Sequence, residues 1–183
     1  MDSPLTTAVA DLDEDTVFEI LRTELDAFLV AERADDAPQF GIRKLGDENI
    51  LVPRDLYIIK FIEPLGHNFA AFGLDLGSER LRRASIEQAI ETGAPTLSAP
   101  FILHKCDRRG AGFLLFVPVF RQGTDPTTGS QRRAALIGLL YAPMFAADLL
   151  RGIADVDAEL ADFELYDVTG TAGSVPASQR VFD

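Results

Sequence analysis

The sequence predicts an α+β fold in which an antiparallel sheet has its helices packed to one side. The first observation behind this is a pair of apolar runs, residues 96–105 and 112–121, which flank a short charged turn as in an antiparallel hairpin. The second is that segments with helical spacing interrupt the strands elsewhere. Residues 112–120 are apolar on both faces, so they should lie in the centre of the sheet, whose concave face is the expected ligand pocket.

The N-terminal part is predicted to form a helix from about residue 17 to residue 34. Carboxylates within residues 11–15 stand where they complement the positive end of a helix dipole. The apolar residues that follow recur at roughly helical spacing: Val17, Ile20, Leu21, Leu25 and Phe28. The helix should end before Pro38. Residues 1–10 stay unassigned, with a short edge strand at 5–9 as one alternative.

Two strands should follow this helix. Phe40, Ile42 and Leu45 alternate loosely with polar or small residues, which indicates a strand, and residues 46–49 are typical of the turn after it. Residues 56–62 are rich in β-branched and aromatic side chains. They predict the second strand.

A second helix is predicted over residues 79–92. Asp75 and Ser78 precede it and supply side-chain oxygens that can cap free N–H groups. Gly93 and Pro95 follow it, and these residue types are common just beyond the end of a helix. The flanking residues therefore define both ends.

The C-terminal part is predicted to continue with a polar loop at 122–131 and an apolar strand at 134–141. Pro143 should then start a helix, which carries Phe145, Leu149, Leu150 and Ile153. Residues 163–168 form the last clear strand. The small, polar end from residue 170 frays unless residues 180–182 pair with that strand.

Composition and charge limit the classes of partner. The chain has 183 residues, 47% of them hydrophobic, which suffices to bury a core as one domain or two small lobes. Its formal net charge of -12 repels nucleic-acid phosphates and anionic membrane surfaces, so we expect no nucleic-acid partner. The single cysteine, Cys106, excludes an internal disulfide. Because no run approaches the ~20 apolar residues that cross a bilayer, we expect a soluble fragment.

The motifs of common enzyme and cofactor sites do not occur in the sequence. The two histidines, His67 and His104, are far apart and lack a second ligand at metal spacing. There is no Gly-x-Ser-x-Gly elbow, Walker loop or Gly-x-Gly-x-x-Gly pattern. Gly73 and Gly77 flank Asp75 before a helix and faintly resemble a phosphate-binding loop, but the Asp75 carboxylate would itself occupy the place of the bound anion. We therefore predict no catalytic residues, no metal and no cofactor.

Seven segments carry a family resemblance through their order and spacing. They are residues 61–65 (FIEPL), 73–76 (GLDL), 83–85 (RAS), 91–93 (ETG), 97–101 (LSAPF), 112–120 (GFLLFVPVF) and 138–144 (GLLYAPM). Through them the chain resembles the CHASE domain, the extracytoplasmic sensory module of membrane histidine kinases and nucleotide cyclases. The resemblance covers roughly the central and C-terminal two-thirds of the chain.

The resemblance implies an architecture of two stacked PAS-like lobes behind a long N-terminal stalk helix, which is missing from this chain. Residues 1–143 would be the membrane-distal, ligand-binding lobe, and residues 144–183 part of the membrane-proximal lobe. The implied location is the periplasm, as a domain of an inner-membrane receptor. That receptor would be a homodimer, attached to the membrane only through transmembrane helices outside this chain.

The best-known ligands of the family are cytokinins, which plant receptors hold with an Asp and a Thr. Alignment through residues 91–93 puts Arg82 at the Asp position, and alignment through Gly112 and Pro118 puts Phe116 at the Thr position. Arg cannot accept the purine N–H bonds that a carboxylate accepts, and Phe lacks the hydroxyl. We therefore do not expect cytokinin binding.

A small anion with an apolar portion is the ligand that these two residues favour. If Arg82 faces the pocket, its planar guanidinium suits a carboxylate or phosphate, and Phe116 supplies apolar contact. The alternative places Arg82 on the exposed helix face beside Arg80 and Arg83. The predicted ligand-binding residues are Phe61, Asp75, Leu76, Arg82, Ser98, His104, Phe116 and Tyr141.

The function expected from these observations is ligand sensing without catalysis. Ligand binding would bias a receptor dimer that regulates a histidine kinase or a cyclic-di-GMP enzyme. One alternative is a dimerisation module whose pocket is filled by its own side chains. Another is a small-molecule enzyme that uses His104 or Arg82.

Overall fold

The computed structural model describes residues 15–20, 25–34, 39–45, 55–62, 68–105, 108–148, 165–166 and 180–182. The strands are β1 Asp15–Ile20, β2 Arg43–Lys44, β3 Leu56–Phe61, β4 Leu74–Asp75, β5 Thr96–Leu97, β6 Phe101–Lys105, β7 Arg108–Phe120, β8 Leu136–Phe145, β9 Leu165–Tyr166 and β10 Arg180–Phe182. The α-helices are α1 Leu25–Ala34, α2 Arg80–Thr92 and α3 Gly129–Ala135, and a 3₁₀ helix spans Leu76–Ser78. The predicted α+β fold is confirmed.

One sheet contains the strands β1 to β8. Their order is β2-β4-β3-β1-β8-β7-β5, with β6 also paired to β7. Among the described residues every pairing is antiparallel except that of β2 with β4. Strand β7 has β8 on one side and β5 and β6 on the other, so the predicted inner position of this apolar strand is confirmed.

The N-terminal half of the predicted helix 17–34 is wrong, because the chain forms strand β1 there and helix α1 starts only at Leu25. Strand β1 lies between two neighbours, with Val17 opposite Ile59 of β3 and Leu139 of β8. Backbone hydrogen bonds on both sides, together with the β-branched and aromatic residues of this segment, outweigh the helical spacing of its apolar residues.

Helix α2 has the predicted bounds, but its N-cap is not one of the two predicted residues. Glu79 caps α2, accepting hydrogen bonds from two backbone N–H groups of the first turn. Asp75 instead caps the preceding 3₁₀ helix, and the Ser78 hydroxyl donates to the Asp75 carbonyl. Gly93 ends α2 in the left-handed conformation with φ 72°, as its residue type predicted.

The predicted hairpin is present, with Lys105 of β6 opposite Arg108 of β7. The strand expected over 96–105 is, however, divided into β5 and β6. Ser98 lies between them, and its backbone N–H and hydroxyl both bond to the backbone of Leu114. Pro100 follows and has no N–H to continue a ladder, so the strand is interrupted here.

Pro143 does not start a helix, because β8 continues through it to Phe145 and helical residues begin at Ala146. Opposite Pro143 on the neighbouring strand lies Leu114. Among the described residues, β8 pairs with β1 only as far as Tyr141, so the described pairing of Pro143 is on one side. A proline is tolerated at such a position.

Helix α3 occupies the end of the predicted polar loop and the start of the predicted strand 134–141. Thr128 caps it through a capping box in which the Gln131 side chain bonds back to the N-cap backbone. The Thr-x-x-Gln spacing is visible in the sequence, so this short helix could have been predicted.

Of the two possibilities left open for residues 180–182, fraying or pairing with the last predicted strand, the structure has the pairing, since β10 pairs with β9. Strand β9, Leu165–Tyr166, lies within the predicted strand 163–168, whose other residues fall outside the described ranges. The expectations for residues 5–9, 46–49 and 149–153 fall outside the described residues. The tandem PAS-like lobes and their division after residue 143 stay predictions.

Helices cover both faces of the sheet, so the expectation that they pack to one side is wrong. Along β3, Tyr57 and Ile59 face the core that contains Ile86 and Ile90 of α2. The alternate residues Leu56 and Ile58 face the other side, where Leu25, Phe28 and Leu29 of α1 pack. Both faces of β3 are buried, so each requires its own cover.

Candidate functional site

A cavity of about 280 Å³ lies on the α2 face of the sheet. Most of its lining is apolar: Ile59, Ile62, Ala71, Leu74, Leu76, Phe101, Ile102, Leu103, Leu114 and Pro143. Three polar side chains, those of Asn68, Arg82 and Tyr141, complete the described lining. A mainly apolar cavity with a few polar groups is the usual form of a small-molecule site, and this volume suits a metabolite.

Arg82 brings a cation to this cavity from the first turn of α2. Its side chain is 17% exposed, and its guanidinium carbon lies 4.3 Å from the ring centroid of Phe101. The Arg82 Nε atom is 3.9 Å from the Glu79 Oε2 atom. Burial lowers the pKa of the Arg82 guanidinium below its ordinary value, while Glu79 and Tyr141 raise it. An arginine nevertheless stays protonated at neutral pH.

The neighbouring arginines point elsewhere. Arg80 is exposed. Arg83 is 4% exposed and donates from Nε to the Gly77 carbonyl at 2.7 Å and from Nη2 to the Asp55 carbonyl at 2.8 Å. Of the two placements left open by the sequence, Arg82 thus takes the one facing the pocket, and Arg83 connects the start of α2 to the sheet.

Leu76 and Tyr141 also line the cavity. Leu76 is 2% exposed in the 3₁₀ helix, and Tyr141 is 5% exposed in the middle of β8. Three of the eight predicted site residues, Leu76, Arg82 and Tyr141, therefore meet at one cavity.

The chain matches a protein-family model, that of the CHASE domain, over residues 17–177. The chain belongs to the CHASE domain family. CHASE domains are extracellular sensory domains of signalling receptors and are not catalytic. A comparison with curated proteins found no match.

Two further findings on this CHASE domain concern metal-binding groups and membrane-spanning helices. Among the described residues, no group of three or more His, Cys, Asp or Glu side chains could hold a metal ion. No helix within the described ranges is long and apolar enough to cross a membrane.

Asp75 does not line the cavity of the CHASE domain and instead holds a buried turn. It is 2% exposed, and its Oδ1 atom accepts hydrogen bonds from the Tyr57 N–H at 2.9 Å and the Gly77 N–H at 3.0 Å. Burial raises the pKa of the Asp75 carboxyl, although these two N–H groups and the Arg83 cation oppose the rise. The Asp75 carboxylate thus accepts the backbone N–H groups that a bound anion would otherwise contact in this turn, as the sequence suggested.

Three other predicted site residues, Ser98, Phe116 and Phe61, do not line the cavity either. The Ser98 hydroxyl is engaged, since it accepts from the Leu114 N–H at 2.9 Å and donates to the Ala99 carbonyl at 2.8 Å. Phe116 is fully buried in the core. Phe61 is 53% exposed. The backbone of His104 lies in β6, but its side chain lies outside the described part of the structure.

The sequence interpretation missed Asn68, Phe101 and most of the aliphatic lining. Phe101, Ile102 and Leu103 are consecutive in β6 and all line the cavity, so the alternation of side chains along a strand could not have identified them. Asn68 is a helical residue directly before the turn at 69–73, and no sequence signal singled it out as a ligand contact.

Proposed function

We propose that this CHASE domain is the ligand-sensing part of a transmembrane receptor, located in the periplasm. Its ligand would be a small molecule with one carboxylate or phosphate group and an apolar body. The observation that carries the proposal is a single described cation, Arg82, in the lining of an otherwise mainly apolar cavity of about 280 Å³. The receptor's output would be a histidine kinase or a cyclic-di-GMP enzyme.

The guanidinium of Arg82 is suited to a charge-assisted bond with a ligand. Its ion pair with Glu79 is long, at 3.9 Å, and both Glu79 carboxylate oxygens already accept backbone N–H groups at 2.8 and 3.0 Å. Within the described part of the chain, the guanidinium itself makes no hydrogen bond. Its planar N–H groups match the geometry of a carboxylate or phosphate.

The rest of the lining favours an anion over a cationic or purine ligand. Besides Arg82, the polar side chains of the described lining are those of Asn68 and Tyr141, and no carboxylate is found in it. The surrounding aliphatic and aromatic side chains would contact the apolar body of the ligand. A ligand in this cavity would touch α2 and the strands β3, β6, β7 and β8 at once.

Signalling would follow from unequal affinity for two states of a receptor homodimer. The described lining residues fall between residues 59 and 143, within the predicted membrane-distal lobe. A ligand that joins α2 to the sheet would stabilise one arrangement of that lobe and shift the dimer population toward it. Residues 144–183 would pass the change toward the membrane.

A thermal-shift screen of the 183-residue chain against carboxylates, phosphates, purines and amino acids tests the proposal. Benzoate is the first probe and benzamide its neutral control. At about 100 times its dissociation constant, a ligand selective for the native state adds about 2.7 kcal/mol of stability, or roughly 5–10 °C in Tm for a domain of this size. Arg82→Ala should abolish the shift with anions, whereas Arg80→Ala should keep it. An anion shift that survives Arg82→Ala would overturn the anion site.

A ligand-free dimerisation module is the second candidate function. The observation in its favour is Phe116, which is fully buried and fills the core at the position where the family's plant receptors carry a ligand-binding Thr. This candidate predicts that no compound in the screen shifts Tm. It also predicts a Tm that rises with protein concentration, because association stabilises the native state.

A further inference from the structure

Glu79 places a fixed negative charge beside the only described cation of the cavity. Its Oε1 atom accepts the Leu81 N–H at 2.8 Å and its Oε2 atom accepts the Arg82 N–H at 3.0 Å. These two bonds hold the carboxylate at the N-terminus of α2, where the helix dipole also favours it. The carboxylate therefore cannot move away from Arg82 without uncapping the helix.

The carboxylate stands beside the cavity and does not enter it. Glu79 is absent from the cavity lining, and its side chain is 33% exposed. The Oε2 atom is nonetheless 3.9 Å from the Arg82 Nε atom. An anion bound by the guanidinium would thus lie within several ångströms of a second, permanent anion.

The local charge balance then depends on the charge of the ligand. Arg82 and Glu79 together are neutral, so a bound monoanion leaves one net negative charge at the site and a dianion leaves two. At such separations, and with an effective dielectric constant of about 20–40, Glu79 weakens binding by on the order of tenfold per ligand charge.

We propose that Glu79 is a specificity-determining residue that makes the Arg82 site select monoanions over dianions. This inference rests on the proposed function, because it requires that Arg82 binds the ligand's anionic group. It assigns Glu79 a role that a helix cap alone would not have. The ligand class is accordingly narrowed to small monocarboxylates with an apolar body.

Calorimetric titration of the 183-residue chain with benzoate, its dicarboxylate analogue isophthalate and neutral benzamide tests this assignment. The informative quantity is the ratio of the isophthalate Kd to the benzoate Kd. The steric difference between the two compounds cancels when this ratio is compared between variants. Glu79→Gln should lower the ratio on the order of tenfold and leave benzamide binding unchanged.

Two further variants separate charge from helix capping. Glu79→Ser removes the charge but places a favourable N-cap residue at the start of α2, and it should lower the ratio as Glu79→Gln does. Glu87→Gln removes a carboxylate of the same helix that pairs with Arg83 at 3.4 Å, and it should leave the ratio unchanged.

The outcomes distinguish this inference from the proposed function. If the wild-type chain binds neither carboxylate, or if Arg82→Ala binds benzoate as well as the wild type, the proposed function fails and this inference fails with it. If Arg82→Ala loses benzoate binding but Glu79→Gln and Glu79→Ser keep the wild-type ratio, only the role of Glu79 is overturned. A ratio lowered equally by Glu87→Gln would also overturn it.

Discussion

Replacing Arg83 by alanine should destabilise the domain far more than replacing its exposed neighbour Arg80. The Arg83 guanidinium donates to the carbonyls of Gly77 and Asp55 at 2.7 and 2.8 Å and lies 5.0 Å from the ring centroid of Tyr57. Each hydrogen bond from a charged group contributes about 1.5–3 kcal/mol. Losing both, with the buried Gly77 carbonyl left unpaired, should reduce the free energy of unfolding by roughly 3–5 kcal/mol.

The ion pair of Arg83 with Glu87 adds little to this value. The Arg83 Nη1 atom lies 3.4 Å from the Oε1 atom of Glu87, whose side chain is 42% exposed, and partly exposed pairs of this kind contribute about 0.3–0.5 kcal/mol. Arg80 is exposed, so Arg80→Ala should change the free energy of unfolding by no more than about 0.5 kcal/mol. The two variants thus form a matched pair on one helix.

Urea unfolding followed by far-UV circular dichroism measures both changes, and an unchanged m-value shows that the denatured states are comparable. Arg83→Met keeps the apolar stem and should still lose most of the stability, because the hydrogen bonds are gone. A loss below about 1 kcal/mol for Arg83→Ala, or one equal to that of Arg80→Ala, would refute the reasoning from buried hydrogen bonds.

Two further predictions concern residues that the sequence had suggested as ligand contacts. Ser98→Ala should cost about 1–3 kcal/mol, since the buried Leu114 N–H loses its acceptor, and should leave benzoate affinity unchanged; weaker benzoate binding in calorimetry would contradict this. Asp75 binds its proton more tightly in the folded chain than in the unfolded chain, because burial raises its pKa above 3.8. Protonation of Asp75 therefore stabilises the fold below pH 3.8, and this stabilisation is lost as the pH rises through the folded-state pKa. Urea titrations should therefore show that the wild type loses stability relative to Asp75→Asn as the pH rises above 3.8. A difference in the free energy of unfolding that stays level or increases would disprove the raised pKa of Asp75.

Local signals predicted those elements whose ends are set by their own residues. Helix α2 ends at Gly93, where a residue without a side chain takes the left-handed conformation. Strand β3 follows from a run of β-branched and aromatic residues. The capping box at Thr128 was equally local, and it was missed because the polar composition of its surroundings suggested a loop.

The errors concern segments whose structure depends on distant partners. Residues 15–20 form a strand because β3 and β8 lie on either side of them, and no property of the segment reveals those neighbours. Pro143 lies within β8 because the strand continues alongside β7, where Leu114 is opposite this proline. In both cases tertiary contacts overrode a correctly observed local pattern.

The family segments indicated the region of the chain that contains the described cavity lining, but not which side chains face the cavity. Leu76 and Asp75 are adjacent, yet the first lines the cavity and the second bonds to the backbone of its own turn. Ser98 precedes β6 closely, but its hydroxyl is engaged by the backbone of Leu114. A shift of one residue changes the direction of a side chain, so such assignments require coordinates.

By itself, the sequence determined the α+β class, the family and the sensory class that the family implies, because these rest on composition, apolar periodicity and ordered segments along the chain. Only the tertiary structure decided the roles of Arg80, Arg82 and Arg83, which are exposed, cavity-lining and buried, respectively. The physical reason is that successive residues of a helix point in directions about 100° apart. Their surroundings are then set by whatever packs against each face, and that packing involves strands far away in the sequence.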